Sequence, residues 1–252
     1  MVKVIMHGCN GKMGQVITRL IAQETDMEIV AGIDPFDGIK NTYPVFKSVK
    51  ECDVKADVII DFASATAVNG LLEYCADTQT PVVLCTTGLD EAQIRLVEET
   101  SKKVAVLKSA NMSLGINLLL KMLKTAAGTL APAGYDIEVV EKHHNLKKDA
   151  PSGTALALAD SINEELDNRY EYVFDRSQKR EKRSENEIGF AVVRGGTIVG
   201  DHDVIFAGED EVITFSHTAY SKAVFGKGAV QAAKFLAGKS AGLYNMQDVI
   251  EG

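Results

Sequence analysis

The chain has 252 residues, 46% of them hydrophobic and 25% charged, with a formal net charge of -8. Such a balance suits a globular protein of one large or two smaller domains, and it speaks against nucleic acid or an anionic membrane as partner. Four cysteines (Cys9, Cys52, Cys75 and Cys85) without metal-ligand spacing argue against a disulfide framework or a thiolate metal centre, and a cytoplasmic setting is expected.

Val2–His7 is a short, mostly apolar run that predicts a buried strand, and no secretory leader is expected before it. Gly8-Cys9-Asn10-Gly11-Lys12-Met13-Gly14 follows directly. Val16, Ile17, Leu20 and Ile21 then recur at helical spacing over residues 15–24. Met27–Ile33 predicts the next strand, and Asp34 ends it. Strand, glycine turn, helix, strand and acid form the layout of a dinucleotide-binding unit. Gly8 permits the tight turn, Gly11 lets backbone N–H groups approach a pyrophosphate, and Gly14 lets the helix pack on the sheet. Asp34 is placed to accept hydrogen bonds from an adenosine ribose. The spacing is Gly-x-x-Gly-x-x-Gly rather than Gly-x-Gly-x-x-Gly. Glycine triplets also mark plain turns, so the reading rests on the flanking strands and the acid.

The alternation continues. Residues 57–62 predict a strand, 65–76 a helix and 81–85 a strand ending in Thr86-Thr87-Gly88. Asp90 caps a helix reaching Lys102, and 104–108 predict another strand. Alternating strands and helices imply a parallel sheet covered on both faces, with ligands beyond the carboxyl ends of the strands. The 86–88 turn and Ser109-Ala110-Asn111-Met112 both fall there. The pattern changes after Met112. A long helix covers Leu114–Leu130, interrupted in polarity by Asn117 and Lys121 and so a core helix rather than a membrane span. A strand at 136–141 leads to a helix over 154–168. Residues 170–186 are charged and aperiodic, and the basic run at 179–183, interleaved with Glu181, reads as a solvated loop. Strands at 188–194, 198–207 and 212–219 predict a second, mixed sheet. A helix over 222–237 and a short tail at 242–249 follow. The fold class expected is therefore α/β: a Rossmann-like dinucleotide-binding domain of residues 1–112, completed by 223–252, and an α+β domain of 113–222 that binds substrate and carries oligomer contacts.

Residues 141–154 concentrate the chemistry: Glu141-Lys142-His143-His144-Asn145-Leu146-Lys147-Lys148-Asp149-Ala150-Pro151-Ser152-Gly153-Thr154. Histidines titrate near neutral pH. Lysines hold or protonate an anion, and the free N–H groups at the start of the helix that the Ser152-Gly153-Thr154 turn opens attract carboxylates. That combination can bind and protonate a small acidic molecule. Adjacent histidines on a strand face opposite sides, so His143 and His144 cannot both fill one core face. Asp149 reads as a brace of the turn, Lys148 as solvent-facing, and Ser152 as the helix N-cap. His7, His202 and His217 have no matched partner in sequence and read as structural. Arg194 is a candidate for the pocket that its sequence position alone does not place. No Gly-x-Ser-x-Gly elbow supports a hydrolase, and no spaced ligand set supports a metal.

These motifs together resemble the 4-hydroxy-tetrahydrodipicolinate reductase (dihydrodipicolinate reductase) family. The resemblance rests on Gly8-x-x-Gly11-Lys12-Met13-Gly14, Cys85-Thr86-Thr87-Gly88 and Ser109-Ala110-Asn111-Met112-Ser113-Leu114-Gly115. It extends through Glu141-x-His143-His144-x-x-Lys147-x-Asp149-Ala150-Pro151-Ser152-Gly153-Thr154-Ala155 and Gly242-Leu243-Tyr244-x-Met246-x-Asp248-Val249, and so covers nearly the whole chain. It implies a nicotinamide-dependent reduction of a small cyclic dicarboxylate on the diaminopimelate route to lysine. By family role Gly8, Cys9, Asn10, Gly11, Lys12 and Met13 hold the pyrophosphate, and Asp34 holds the ribose. Cys85, Thr86 and Thr87, with Ser109, Ala110, Asn111 and Met112, line the nicotinamide end. His143 is the proton donor, with Lys147 sharing that role or fixing substrate. His144, Lys147, Gly153 and Thr154 bind the carboxylates. A homotetramer built through the second sheet is expected. Relatives with basic residues at positions 145 and 146 contrast with Asn145 and Leu146 here. Pro35 stands where several NADPH users carry Arg, and Asp34 repels a 2′-phosphate, while Lys12 offers a cation. The cofactor expected is NADH, with NADPH tolerated. Three other readings stand beside this one: a different two-domain nicotinamide-dependent dehydrogenase with an acidic substrate, a family member without reductase activity that dehydrates or otherwise converts the same type of ring, and a non-catalytic nicotinamide-sensing protein.

Overall fold

The computed structural model describes residues 1–177 and 180–252, gathered in two compact units, Met1–Leu114 with Ala223–Gly252 and Gly115–Lys222. In chain order the elements are β1 (Val2–His7), α1 (Lys12–Ile21), β2 (Met27–Ile33), β3 (Val45–Phe46), β4 (Val58–Asp61), α2 (Val68–Thr78), β5 (Val82–Leu84), α3 (Glu91–Ser101) and β6 (Ala105–Lys108). There follow α4 (Leu114–Leu130), β7 (Asp136–His143), α5 (Gly153–Glu165), β8 (Glu171–Val173), β9 (Glu187–Arg194), β10 (Gly200–Ala207) and β11 (Val212–Ala219). The chain then adds α6 (Ala223–Leu236), β12 (Gly242–Tyr244) and α7 (Met246–Glu251) to the first unit.

The first unit is a seven-stranded sheet in the order β12-β6-β5-β4-β1-β2-β3, and every pairing is parallel. Its central strands are apolar at successive positions because both faces are covered. Val4, Met6 and Ile60 share one core with Ile17 of α1 and with Ala229, Ala233 and Leu236 of α6. Ile5, Ile59 and Val82 share the other with Leu71 and Leu72 of α2 and Val97 of α3. α3 starts at a capping box in which Asp90 and Gln93 satisfy each other's backbone N–H, as the sequence led one to expect for Asp90. α6 approaches so closely that a Cβ at Gly228 would lie 1.6 Å from the Met112 carbonyl oxygen. The 242–249 segment is more than a tail. Residues 242–244 pair with 105–107 as an edge strand, and α7 has its own capping box from Asn245. Three residues are too few to show a period.

The second unit holds a five-stranded sheet in the order β11-β10-β7-β9-β8, with β8, β9 and β7 parallel and β10 antiparallel to both its neighbours. Leu119, Leu123 and Ala127 of α4 and Ala155, Leu158 and Ile162 of α5 pack on Ile137, Val139, Val204 and Phe206. α5 ends at Glu165, short of the expected 168, because Asp167 and Asn168 take left-handed φ of 57° and 55° and the Asn168 N–H turns back to the Asn163 carbonyl. The aperiodic 170–186 segment is also corrected. It contains β8, and Arg183 is no solvated loop residue: Nη1 donates to Asp136 Oδ1 at 2.7 Å and Nε to Glu138 Oε1 at 3.1 Å. Arg176 reaches Glu138 and Glu187 beside it. Of the basic run, Lys179 lies outside the described residues. Among the described residues no helix is long and apolar enough to cross a membrane.

Candidate active site

In the first unit the sheet runs out from β1 to β2 and β3 on one side and to β4, β5 and β6 on the other. The loops at the carboxyl ends of β1 and β4 therefore part and leave a crevice. A cleft of about 380 Å³ lies there, lined by His7, Gly8, Gly11, Asp34, Phe62 and Ser64 among others. Gly8 has φ +79°, and a Cβ on it would meet the Phe62 carbonyl oxygen at 2.8 Å. A Cβ at Gly14 would lie 2.2 Å from the Gly8 carbonyl oxygen, so the first turn of α1 can press on the glycine turn only without a side chain. Gly11 is the N-cap and brings no side-chain cap, which leaves the first-turn N–H groups of α1 to an outside anion. This cradle fits a dinucleotide pyrophosphate.

Asp34 is held as an acceptor. The Asn10 N–H donates to Oδ2 and the Phe36 N–H to Oδ1, each at 3.0 Å. Asn10 is fixed in turn by Asn41, whose Nδ2 donates to Asn10 Oδ1 at 2.7 Å, and by the Phe36 carbonyl. The sequence reading contained Asp34 and Asn10 but not Asn41, whose side of the contact lies thirty-one residues away. Burial first, then the nearby Asp34 charge, pushes the Cys9 thiol up to about 11, so it stays a neutral packing group.

Below the crevice, buried Asp61 ends β4. It accepts from Thr86 Oγ1 at 2.6 Å and meets His7 Nδ1 at 2.7 Å. The Cys85–Thr86–Thr87 turn is thus tied to the first strand through one carboxylate. After β6, the Asn111 side chain accepts from the Ser113 N–H at 2.8 Å, and Met112 is buried. The cofactor-class residues at 8–13, 34, 85–87 and 109–112 all follow carboxyl ends of parallel strands, which is one edge of one sheet.

In the second unit, β7 alternates half-buried and buried residues along its length, and Ile137, Val139, Glu141 and His143 share the buried face. β10 does the same with His202, Val204 and Phe206. The apolar face of this sheet therefore turns polar toward the carboxyl end of β7. Glu141, wholly buried, receives Arg194 Nη1 on Oε2 at 2.7 Å and Nη2 on Oε1 at 2.8 Å. The Ser152 N–H reaches Oε1 at 2.9 Å, and His143 Nδ1 lies 2.6 Å from Oε2. Burial alone would raise this carboxyl. The hydrogen bonds from Arg194, His143 and Ser152 outweigh it and hold the group below its ordinary value.

His143 and His202 meet edge to face, ring centroids 5.1 Å apart. His202 Nε2 is 3.1 Å from Ser152 Oγ, which also caps α5 by accepting from the Ala155 N–H, as expected for Ser152. Burial, then the His143 charge, pushes His202 down to about 4, so it is neutral at physiological pH. His144 turns to the other side. It is half-buried, with Nδ1 shielded from solvent and without a hydrogen-bond partner in the protein. Lys147 Nζ lies 2.9 Å from Asp149 Oδ2, the brace expected of Asp149, and Lys148 is exposed. His143, His144, Lys147 and the Gly153–Thr154 start of α5 thus fall on one strand end and the loop after it.

Sequence reasoning placed Glu141 in the segment without a role, read His202 as structural and left Arg194 unplaced. A signal existed for the first two: each is an ionisable residue in phase with the apolar face of its strand.

Family models described as dihydrodipicolinate reductase, N-terminus and C-terminus, match residues 2–112 and 115–250. A 4-hydroxy-tetrahydrodipicolinate reductase of Caldanaerobacter subterraneus subsp. tengcongensis is 53% identical, over 100% of this chain and 99% of its own. One from Clostridium tetani is 47% identical over 98% and 96%. Among solved structures, a dipicolinate-bound dihydrodipicolinate reductase from Paenisporosarcina sp. TG-14 shares the fold with a TM-score of 0.81, at 24% identity over 99% of each chain.

Proposed function

Because the chain belongs to the dihydrodipicolinate reductase family, we propose that it reduces 4-hydroxy-tetrahydrodipicolinate to tetrahydrodipicolinate with a reduced nicotinamide cofactor, on the diaminopimelate route to lysine. The observation that carries the reading is the meeting of His143, Lys147 and the N-terminus of α5 at one strand end, in a chain this similar to named reductases. The overall change removes the 4-hydroxyl as water and adds a hydride and a proton. The cofactor, when bound, supplies the hydride to ring C4.

The chain's own groups do the rest. Gly8 to Met13 and the first turn of α1 hold the pyrophosphate, and Asp34 accepts from the adenosine ribose. Cys85, Thr86 and Thr87 with Ser109 to Met112 line the nicotinamide end. His144, Lys147, Gly153 and Thr154 bind the two carboxylates, a cation and a set of helix N–H groups matching two anions. His143 delivers the proton. Cofactor preference follows from Asp34: a fixed carboxylate attracts two ribose hydroxyls and repels a 2′-phosphate, so NADH is the better substrate and NADPH the poorer. A homotetramer through the second sheet is supported by Val192, Val193 and Val212, apolar side chains exposed on β9 and β11.

The test couples the purified enzyme to substrate generated from pyruvate and aspartate semialdehyde by the preceding synthase, and follows oxidation of NADH and NADPH separately. Substrate-dependent oxidation, with higher kcat/KM for NADH, is expected. Cofactor binding without any oxidation would refute the reductase reading, and a clear NADPH preference would refute the Asp34 argument.

A further inference from the structure

Glu141 is a charge without an assigned duty, and a carboxylate at zero exposure costs several kcal/mol to bury unless it is well paired. It is paired four ways, and the partners come from three places. Arg194 at the end of β9 grips both oxygens, the Ser152 N–H closes the loop after β7, and His143 is two residues along the same strand. Arg194 Nη2 also donates to the Asp149 carbonyl at 2.7 Å, so the same guanidinium ties down the Lys147-bearing loop. With Arg194 and Ser152 supplying donors only, the carboxylate must stay an acceptor, and His143 Nδ1 must carry a proton.

We infer that Glu141, clamped by Arg194, is the positioning residue that fixes His143 with Nδ1–H bound inward and Nε2 as the atom that delivers the proton. This rests on His143 being the proton donor. When hydride adds at ring C4, an electron pair is displaced onto the adjacent ring carbon. That pair takes the proton from Nε2 of the imidazolium. The N–H bonding pair remains on Nε2, and the neutral ring keeps its Nδ1–H on Glu141. Gly200 clears the same atom: a Cβ there would stand 3.0 Å from His143 Nε2. Among the described residues, Glu141 on its own strand and His202 from β10 meet the ring; Arg194 from β9 stands behind Glu141, and Lys147 and Asp149 lie in the loop that Arg194 ties down.

Glu141→Gln separates orientation from mere filling. The new amide NH2 opposes an Arg194 N–H on either side, but toward Ser152 it opposes a second donor, whereas toward His143 it can donate to Nδ1. That orientation drives the neutral ring to its Nε2–H form and disfavours the imidazolium. The full-length variant is compared with wild type and with His143→Ala. Expected for Glu141→Gln is a kcat loss of about a hundredfold, KM for the nicotinamide cofactor within twofold, and the alkaline limb of the kcat profile moved to lower pH. Nitrogen-15 histidine spectra show Nδ1–H in the wild-type neutral ring and Nε2–H in the variant. If His143→Ala loses activity while Glu141→Gln keeps kcat within twofold, the inference is overturned and the reductase reading stands. A kcat loss with unchanged His143 ring signals also overturns it, since Glu141 would then act on the fold alone. If His143→Ala keeps its kcat, the proton-donor reading itself falls. Should Glu141→Gln not fold, Arg194→Lys, which keeps a cation but loses the two-pronged grip, is read by the same kcat and ring-signal criteria.

Discussion

Gly228 gives a sharp test of how the first unit is closed. Alanine is ordinarily the better residue inside a helix by about 0.5–1 kcal/mol. At Gly70 in α2 a Cβ would meet nothing within 4 Å, so Gly70→Ala should gain that amount. At Gly228 in α6 the same methyl would lie 1.6 Å from the Met112 carbonyl oxygen and 2.7 Å from its carbon. Both are backbone atoms and neither can rotate away. α6 would have to retreat by roughly 2 Å to restore van der Waals separation. Ala229, Ala233 and Leu236, all wholly buried against the sheet, would lose contact together. Overpacking of this kind costs about 1–3 kcal/mol and sometimes more, which outweighs the helical gain. For a unit of this size each kcal/mol moves Tm by about 2–4 °C. Calorimetry should therefore show Gly70→Ala melting slightly above wild type and Gly228→Ala several degrees below it. A Gly228→Ala protein that melts at or above wild type would refute the close-approach argument.

Two further outcomes follow. Gly14→Ala should fold, with α1 pushed off the glycine turn by a contact of 2.2 Å, and should lose nicotinamide cofactor affinity tenfold or more by titration of cofactor fluorescence; unchanged affinity would show the turn is not the pyrophosphate cradle. Acid should unfold the second unit first: Glu141 and Glu187, both raised by burial but lowered further by their arginine partners, have folded values below the ordinary 4.5, so the stability they contribute is complete above that value and lost as pH falls through the depressed ones. Urea midpoints that stay flat between pH of about 7 and about 3 would contradict this.

Most of the first unit was legible because its signals are local. A strand, a glycine turn and an amphipathic helix each declare themselves within ten residues, and Asp34 falls at a fixed distance from the turn. The His-His segment was legible for the same reason. What escaped were partners supplied by other strands. Glu141 meets Arg194 across fifty-three positions, and Ser152 meets His202 across fifty, through a register that only the folded sheet creates. The 170–186 segment escaped because β8 is three residues long and its arginines are ordered by Glu138 and Asp136 on a different strand. In the first unit, Asp61 lies inside the strand expected over 57–62, and nothing local shows that it ties His7 to Thr86.

The return of the chain to the first unit also sets an order of assembly. One face of the seven-stranded sheet is covered by α6, whose residues come after the whole of the second unit in the chain. During synthesis Val4, Met6 and Ile60 are made early, yet half their cover leaves the ribosome on the order of ten seconds later. The continuous unit Gly115–Lys222 can complete its own core first, while the cofactor-class sheet waits with an open apolar face. That face is where a nascent chain would need a chaperone, and where cutting the chain ahead of Ala223 would leave an aggregating product rather than a smaller enzyme.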